Sequence, residues 1–246
     1  MALLNEFYIQ LYSLRDVMEN DFLGTLDKLG NKGFGYTGVE FAGFGGVSAD
    51  ELKRVLDDNG LKALASHTGY DRLKNALDEE IAFQKTLGIE YIICPGASMK
   101  SRAEVLNLAK EFTSFNEKIT AAGMKFGYHN HAHEFVTDEG EYMLDILYDN
   151  LPCDAVMELD IYWSEYAGID SLAFMEKHKK RLELLHVKQI DKDKNNSEVD
   201  NGLIDFKDVI TKAKAMGVKH FILEQEEYEV SSISSAENAI KYILGL

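Results

Sequence analysis

Lys125-Phe126-Gly127-Tyr128-His129-Asn130-His131-Ala132-His133-Glu134 is the stretch in which a short apolar run meets three of the seven histidines of this 246-residue chain. The apolar run predicts a buried strand, in which alternate side chains share a face. His129 and His131 then project the same way at the carboxyl end of that strand. Imidazole is the commonest metal-ligating side chain and changes its charge near neutral pH. The segment therefore predicts a metal site or a reaction centre, the alternative being a solvated loop that is merely rich in histidine.

Similar apolar runs recur along the whole chain, at intervals of roughly 25 to 35 residues, which is the length of one strand, one helix and two loops. They cover residues 7–11, 38–41, 61–66, 91–95, 125–129, 155–160, 182–188 and 219–224. The intervals between them read as amphipathic helices, such as residues 71–87. Capping boxes open three of these helices, with Ser48 and Glu51, Ser101 and Glu104, and Ser234 and Glu237. Several helices are predicted to end at glycine, namely Gly33, Gly60, Gly88, Gly123 and Gly217.

Eight strand-then-helix units with nearly continuous apolar strands predict parallel strands that are covered by helices. Eight units in about 250 residues match the α/β (β/α)8 TIM barrel. An open doubly wound sheet is the rival fold, but no Gly-x-Gly-x-x-Gly fingerprint follows the first strand. The chain holds only two prolines and no low-complexity linker. We therefore predict one barrel domain that covers residues 1–246.

The charge of the chain bears on its partners and location. A net charge of −16 argues against nucleic acid and against an anionic membrane surface, because both attract clustered lysine and arginine. No apolar stretch approaches the roughly 18 residues of a membrane helix, and the N-terminal sequence lacks the pattern of a secretory signal. Cys94 and Cys153 lie outside any Cys-x-x-Cys pair and are expected to be buried, reduced thiols. We expect a cytoplasmic protein.

Polar side chains gather where the predicted strands end, which is where barrels carry their chemistry. They include Glu40, His67, Glu158, Asp160, His186, Lys188, Glu224 and Glu226. Several are two residues apart and so share a face, and that face is expected to be the barrel mouth because unpaired charges in a helix-packed layer are costly. The alternative is a ring of salt bridges that only fills the barrel, for example Lys188 with Glu158. A mixed imidazole and carboxylate set suits Mn2+, Mg2+, Co2+ or Zn2+.

The single tryptophan and two of the histidines lie in other settings. Trp163, the only tryptophan, follows Asp160 and either stacks on a ligand or packs in the core. His178 and His220 lie away from the predicted strand ends, in a basic helix end and at a strand start, and are expected to be structural.

The chain resembles the sugar phosphate isomerase/epimerase family of xylose isomerase-like TIM barrels over essentially its whole length. The segments that carry the resemblance begin at Gly127 (Gly-Tyr-His-Asn-His), Leu159 (Leu-Asp-Ile-Tyr-Trp), Leu185 (Leu-His-Val-Lys), Gly202 (Gly-Leu-Ile-Asp-Phe) and Leu223 (Leu-Glu-Gln). The resemblance implies one divalent cation held by Asp160, His186 and Glu224. His129 stands where many members have a fourth ligand, a glutamate. Two other departures are Trp163, where many members have a substrate-binding histidine, and Gln189, where relatives usually have aspartate.

The resemblance also implies an isomerase or epimerase that acts on a small carbohydrate, such as a keto-sugar. The metal would stabilise the enediolate that forms when a proton leaves the carbon α to the carbonyl. Glu224 is the expected base, with Lys188 or His131 as alternatives, while Glu40, His67, Trp163 and Glu226 would contact the sugar. An inosose dehydratase-like lyase and a non-catalytic sugar-binding barrel remain alternatives. An endonuclease IV-like role shares the fold, but the charge opposes it. The sequence leaves a homodimer open.

Overall fold

The computed structural model describes residues 6–246. Eight parallel strands close into the predicted barrel, and around it they run in the order β1, β12, β9, β8, β5, β4, β3, β2. These strands are β1 Tyr8–Gln10, β2 Gly38–Phe41, β3 Lys62–His67, β4 Tyr91–Cys94, β5 Lys125–His129, β8 Val156–Asp160, β9 Leu182–Val187 and β12 His220–Leu223. Residues 1–5 lie outside the described residues. The predicted lack of a secretory signal and the predicted start of the domain both concern these residues. The single domain over residues 1–246 stays a prediction.

The helices cover the outside of the barrel, as the amphipathic intervals predict. They are α1 Arg15–Met18, α2 Phe22–Leu29, α3 Ala49–Asn59, α4 Tyr70–Leu87, α5 Arg102–Ala121, α6 Met143–Asp149, α7 Ile161–Tyr166, α8 Ser171–His178, α9 Phe206–Met216 and α10 Ser232–Leu244. Short 3-10 helices form at Leu11–Leu14 and His133–Phe135. Within residues 6–246, no helix is both long enough and apolar enough to cross a membrane.

Two small hairpins at the carboxyl end of the barrel were not predicted. One pairs β6 Thr137–Asp138 with β7 Glu141–Tyr142, and the other pairs β10 Gln189–Ile190 with β11 Asn196–Ser197. Strands of two residues are too short for an alternating pattern to be recognised in the sequence. The second hairpin matters because it stands beside the strand ends that carry the polar residues.

The helix ends are partly as predicted. Ser48 and Ser101 accept hydrogen bonds from the amides three residues on, so both N-caps are confirmed. The predicted N-cap at Ser234 is wrong, because α10 begins one turn earlier and its N-cap is Ser231, another serine of the same cluster. Gly33 is also not a helix end, since α2 ends at Leu29. The remaining glycines behave as predicted, with positive φ at Gly60, Gly88, Gly123 and Gly217.

The inside of the barrel is apolar toward its amino end. The side chains that fill it form a separate cluster of Tyr8, Leu64, Ala65, Tyr91, Ile93, Val156, Leu184 and Ile222. Gly127 in β5 leaves room for two of them, because a Cβ there would lie 2.6 Å from Ile93 Cδ1 and 2.7 Å from Val156 Cγ2. A larger apolar layer joins the strands to the helices and includes Cys94, whereas Cys153 is exposed and was wrongly expected to be buried. Above the apolar filling, the barrel interior becomes polar.

Candidate active site and metal centre

Four ligand-type side chains from four neighbouring strand ends meet at the carboxyl end of the barrel. His129, Asp160, His186 and Glu224 each offer one ligand atom, and these atoms lie within 4.8 Å of one another. All four residues are buried. Asp160 Oδ2 is buried without a hydrogen-bond partner among residues 6–246. An unpartnered carboxylate oxygen beside two imidazoles and a second carboxylate is a donor set that fits a divalent cation.

His186 is held at both ring nitrogens. Its Nδ1 lies 3.0 Å from Glu224 Oε2, while its Nε2 lies 2.8 Å from Glu40 Oε2 and 3.3 Å from Glu158 Oε2. Burial opposes the charge of this imidazole, but Glu158 and Glu40 outweigh burial and raise the pKa of His186 well above its usual value. Metal-binding histidines commonly donate their second N–H to a carboxylate. Glu40 and Glu158 therefore lie where such a carboxylate is needed.

Glu158, which the sequence places at a strand end without a role in the site, is the centre of a buried network. Its Oε2 lies 2.7 Å from His67 Nε2 and 3.1 Å from His129 Nδ1. His67, His129, Glu158 and His186 form a second set of potential ligands that overlaps the first. Glu158 does not pair with Lys188, as the salt-bridge alternative supposed.

Lys188 is a fully buried lysine among carboxylates. Its Nζ contacts Glu226 and lies 3.6 Å from Glu224 Oε2 and 3.9 Å from Asp160 Oδ2. The ammonium also lies 5.1 Å from the centre of the Trp163 ring. Burial opposes its charge, but Glu224, Asp160 and Glu226 outweigh burial and raise the pKa of Lys188. This side chain is therefore a positive charge and hydrogen-bond donor at neutral pH.

A cavity of about 370 Å³ opens above these residues. It is lined by Tyr12, Ala42, His67, Pro95, His129, His131, Trp163, Glu224 and Glu226. The cavity wall thus contains four of the residues expected to contact or transform a substrate, namely His67, His131, Trp163 and Glu226. It also contains two of the potential metal ligands, His129 and Glu224. Burial, and after it the charge of Lys188, lowers the pKa of His131 to about 4, so this imidazole is neutral at pH 7.

Two of the residues expected to contact or transform a substrate, Lys188 and Glu40, lie beneath the cavity and do not line it. Lys188 is covered by Trp163, as described above. Glu40 is fully buried and accepts hydrogen bonds from His186 and from Gln10 Nε2, which lies 2.8 Å away. The sequence analysis missed Tyr12, which follows β1 in a 3-10 helix and carries no recognisable signal. It also missed Gln10, although a polar residue at the end of β1 could have been noticed.

The segment after β5 is held in place by its own polar residues. Glu134 is fully buried and accepts hydrogen bonds from the His131 amide at 2.8 Å and the Tyr128 hydroxyl at 2.7 Å. Asn130 Oδ1 accepts a hydrogen bond from the Asp160 amide at 3.0 Å, which ties the end of β5 to the end of β8. Hydrogen bonds therefore hold the histidine-rich segment against the ends of β5 and β8, with His129 buried and His133 exposed to solvent.

Gln189 organises the loop that follows β9. Its Oε1 accepts hydrogen bonds from the amides of Ile190 and Ile204 at 3.0 and 2.9 Å, and its Nε2 donates to the carbonyls of Val199 and Ile204 at 3.3 and 3.1 Å. An aspartate could accept these bonds but not donate them. Gly202 belongs to the same arrangement, because a Cβ there would lie 2.3 Å from Gln189 Cδ.

The remaining two histidines lie outside the site. His178 Nε2 is 2.7 Å from Asp145 Oδ1, between α6 and α8. His220 lies at the opposite end of the barrel, with its ring centre 5.5 Å from those of Tyr8 and Tyr91. Both settings are structural, as the sequence indicates.

Comparison with known proteins places this architecture among its relatives. The model of a family described as xylose isomerase-like TIM barrel matches residues 32–244. A sugar phosphate isomerase/epimerase from Parabacteroides distasonis has a solved structure that is similar with a TM-score of 0.83 at 24% identity, over 96% of each chain. A second structure of that description, from the same species, has a TM-score of 0.81 at 22% identity, covering 97% of this chain and 93% of the other.

More distant structures share the fold as well. A protein described as IOLI with a bound zinc atom has a TM-score of 0.77 at 13% identity, over 98% of each chain. A 3-keto-D-glucoside 4-epimerase from E. coli has a TM-score of 0.73 at 12% identity, covering 98% of this chain and 99% of the other. At such identities the likeness concerns the fold alone. Among curated protein sequences, none matches the chain.

Proposed function

Because this chain belongs to the xylose isomerase-like TIM barrel family, we propose that it is a metal-dependent isomerase or epimerase of a sugar or keto-sugar. The observation that carries the proposal is the meeting of His129, Asp160, His186 and Glu224, of which His129 and Glu224 line a cavity of about 370 Å³. A cavity of this size accommodates a small carbohydrate.

The four residues of this set would hold one divalent cation, namely Mn2+, Mg2+, Co2+ or Zn2+. When bound, the cation supplies positive charge beside the oxygen atoms on which negative charge develops as a proton leaves the α carbon. His129 takes the place of a carboxylate in this set and so lowers the negative charge of the ligands by one. Burial, and after it His186, holds the pKa of His129 well below its usual value, which keeps the imidazole neutral and able to bind a metal.

The proton acceptor that we propose is the Glu224 carboxylate at the cavity wall. Burial opposes its charge, but Lys188 and His186 outweigh burial and hold the pKa of Glu224 well below its usual value. It is therefore ionised and able to accept a proton from the carbon next to the carbonyl. His131 is the second acceptor in the cavity, since its imidazole is neutral at pH 7. Returning the proton to the other face gives an epimer, and returning it to the neighbouring carbon gives an isomer.

Lys188 has a different part in this proposal. Because the surrounding carboxylates keep it protonated, it is a poor base and instead holds Glu224 and Glu226 in place by charge. Trp163 covers the lysine and presents an aromatic surface to the cavity, on which the apolar face of a sugar ring can pack. His67 and Glu226 are the polar groups available to sugar hydroxyls.

The test is exchange of a substrate hydrogen for solvent deuterium. Protein loaded with each of the four cations is incubated in D2O with a panel of keto-sugars and inososes, and the recovered sugars are analysed by mass spectrometry and NMR. We expect one deuterium at the carbon α to the carbonyl and loss of exchange after chelation. A product lighter by one water would instead identify a lyase. A sugar that binds without exchange or turnover would favour a non-catalytic sugar-binding barrel.

A further inference from the structure

The charges that line the cavity are negative. Of the residues that line it within the described range 6–246, Glu224 and Glu226 carry carboxylates and none is lysine or arginine. The other lining groups are imidazoles, aromatic rings and small apolar side chains. Proteins that bind a phosphate or a carboxylate on a substrate present arginine, lysine or free backbone amides to it. This cavity wall lacks the cationic side chains.

Two cationic side chains, Lys188 and Arg15, contact residues of the cavity wall, and both have partners in the structure. Lys188 is fully buried beneath Trp163 and is shared by Glu226, Glu224 and Asp160. Arg15 donates from Nη1 to the Tyr12 carbonyl at 2.9 Å and from Nη2 to the Glu226 carbonyl at 2.8 Å. A phosphate would have to displace carboxylates before it could use the charge of Lys188, and it would have to compete with two backbone carbonyls for Arg15.

Five carboxyl groups lie at or beneath the cavity. Glu224 and Glu226 line it and, with Asp160, lie around the ammonium group of Lys188. Glu40 and Glu158 contact His186 below them. A substrate dianion in the cavity would bring like charge against Glu224 and Glu226 on its wall, which opposes binding.

TIM barrels often bind phosphate at the loops after the seventh and eighth strands and at the start of a nearby helix. Here those loops line a groove of about 570 Å³ that carries Asp191, Glu198, Glu227 and Glu229 against Lys192. Glu198 lies near the start of α10 and accepts hydrogen bonds from the Glu229 amide at 3.2 Å and from the Ser235 hydroxyl. Carboxylates thus stand where a phosphate site would need cations and free amides.

We infer that the substrate is an uncharged carbohydrate, a sugar or keto-sugar that carries neither phosphate nor carboxylate. The inference rests on the proposed function and narrows it, since the family includes proteins described as sugar phosphate isomerases/epimerases. The negative cavity rejects an anionic substituent, while the Trp163 ring and the polar groups of His67 and Glu226 suit hydroxyl groups and the apolar face of a sugar ring.

The test uses sugars that differ only in phosphate. D-fructose is compared with D-fructose 6-phosphate, and D-xylulose with D-xylulose 5-phosphate, by calorimetry on the Mn2+-saturated protein at constant ionic strength. We expect the neutral member of at least one pair to bind at least about tenfold more tightly than its phosphate. Equal or tighter binding of the phosphates would overturn the inference, and so would a lack of binding by all four sugars.

Two variants separate the local charge from the net charge of the protein. Glu226→Gln removes a carboxylate from the cavity and releases Lys188. We therefore expect it to reduce the difference in affinity between a neutral sugar and its phosphate. Glu117→Gln makes the same change on the exposed face of α5 and should leave the difference unaltered. If the difference in affinity between a sugar and its phosphate is the same in Glu226→Gln as in the unaltered protein, the charge argument is contradicted.

Deuterium exchange shows whether a negative result contradicts the uncharged substrate or the proposed isomerase or epimerase function. Exchange into a sugar phosphate but not into its neutral partner would refute the uncharged substrate and leave the isomerase or epimerase standing. Tighter binding of neutral sugars without any exchange would support the inference on substrate charge and remove the catalytic function.

Discussion

The Nε2 atom of His186 lies 2.8 Å from Oε2 of Glu40, although 146 residues separate the two in the chain. The contact joins the end of the second barrel strand to the seventh across the barrel interior. Both side chains are fully buried. Glu40 therefore acts on His186 and not directly on a ligand in the cavity, which makes it a positioning residue for the candidate metal centre.

Glu40→Gln should weaken metal binding without removing a metal ligand. The neutral amide no longer favours the His186 tautomer that carries a proton on Nε2 and leaves Nδ1 free for a metal. Loss of such a supporting carboxylate typically lowers metal affinity ~10–100-fold. Competition with a chelating indicator measures the affinity. Glu183→Gln is the control, because it removes a carboxylate at the amino end of the barrel, where Glu183 pairs with Lys125. Equal effects of the two changes would indicate general destabilisation.

Asp160→Asn should abolish binding of the divalent cation. Asp160 contributes a buried carboxylate oxygen that has no hydrogen-bond partner among the described residues, and an amide oxygen carries no charge to replace it. Elemental analysis after dialysis should find one cation per chain in the unaltered protein and almost none in the variant. His220→Gln removes an imidazole from the other end of the barrel and should retain the cation. Full metal content in Asp160→Asn would refute the ligand set.

Glu224→Gln should lower kcat by ~10²–10⁴-fold, the usual effect of losing a general base. The effect on kcat should exceed that on KM, because proton abstraction belongs to the transition state. Metal content is measured alongside, since Glu224 also belongs to the ligand set. Lys188→Met tests the rival base by removing the amine at similar length. Near-normal turnover in Glu224→Gln together with an inactive Lys188→Met would assign the proton transfer to the lysine.

Asp145→Asn should lower stability in a way that depends on pH. Asp145 is buried and accepts from His178 and from Lys177 Nζ, which is 2.7 Å away. Burial opposes its charge, but these hydrogen bonds outweigh burial and lower the pKa of Asp145. Because the pKa of Asp145 is lower in the folded protein, its ionised carboxylate stabilises the fold at pH values above the unfolded pKa of about 3.9. This contribution is lost as the pH falls through the lower pKa of the folded state.

We therefore expect Asp145→Asn to reduce the free energy of unfolding at pH 7 by about 1.5–3 kcal/mol, the range for hydrogen bonds to charged groups. The difference from the unaltered protein should shrink below about pH 4 as the carboxylate becomes protonated. Urea unfolding at several pH values measures both quantities. Asp149→Asn, on the exposed face of the same helix, should have little effect at any pH. A constant difference across the pH range would contradict the assignment.

Gly127→Ala should reduce the free energy of unfolding by about 1–3 kcal/mol, because an added methyl group overfills a packed core. The new Cβ would lie 2.6 Å from Ile93 Cδ1 and 2.7 Å from Val156 Cγ2. Gly69→Ala is the matched control, since a Cβ there meets nothing within 4 Å and the backbone φ of −58° suits alanine. Thermal or urea unfolding compares the two. Similar stabilities of the two variants would show that the barrel interior accommodates the methyl group.

The sequence by itself determined the barrel, because strand and helix are encoded locally by hydrophobic spacing, serine caps and glycine ends. It also indicated which end of the strands is functional, since side chains two residues apart in a strand must share a face. On this basis Asp160, His186 and Glu224 could be expected to converge. The local signals failed where several caps compete, as among the serines before α10, and where strands are two residues long. They also failed at Gly33, which ends no helix, and at Cys153, which is exposed.

Only the tertiary structure decided how deep each polar side chain lies. The strand register shifts between Val39 and Glu40 and between Met157 and Glu158, and such shifts leave no periodic trace in the sequence. The shifts fall directly before Glu40 and Glu158, whose side chains are fully buried in contact with His67 and His186. The partners of Lys188 and Gln189 likewise come from segments remote in the chain. Contacts of this kind depend on the stagger of the closed barrel, which no single strand specifies.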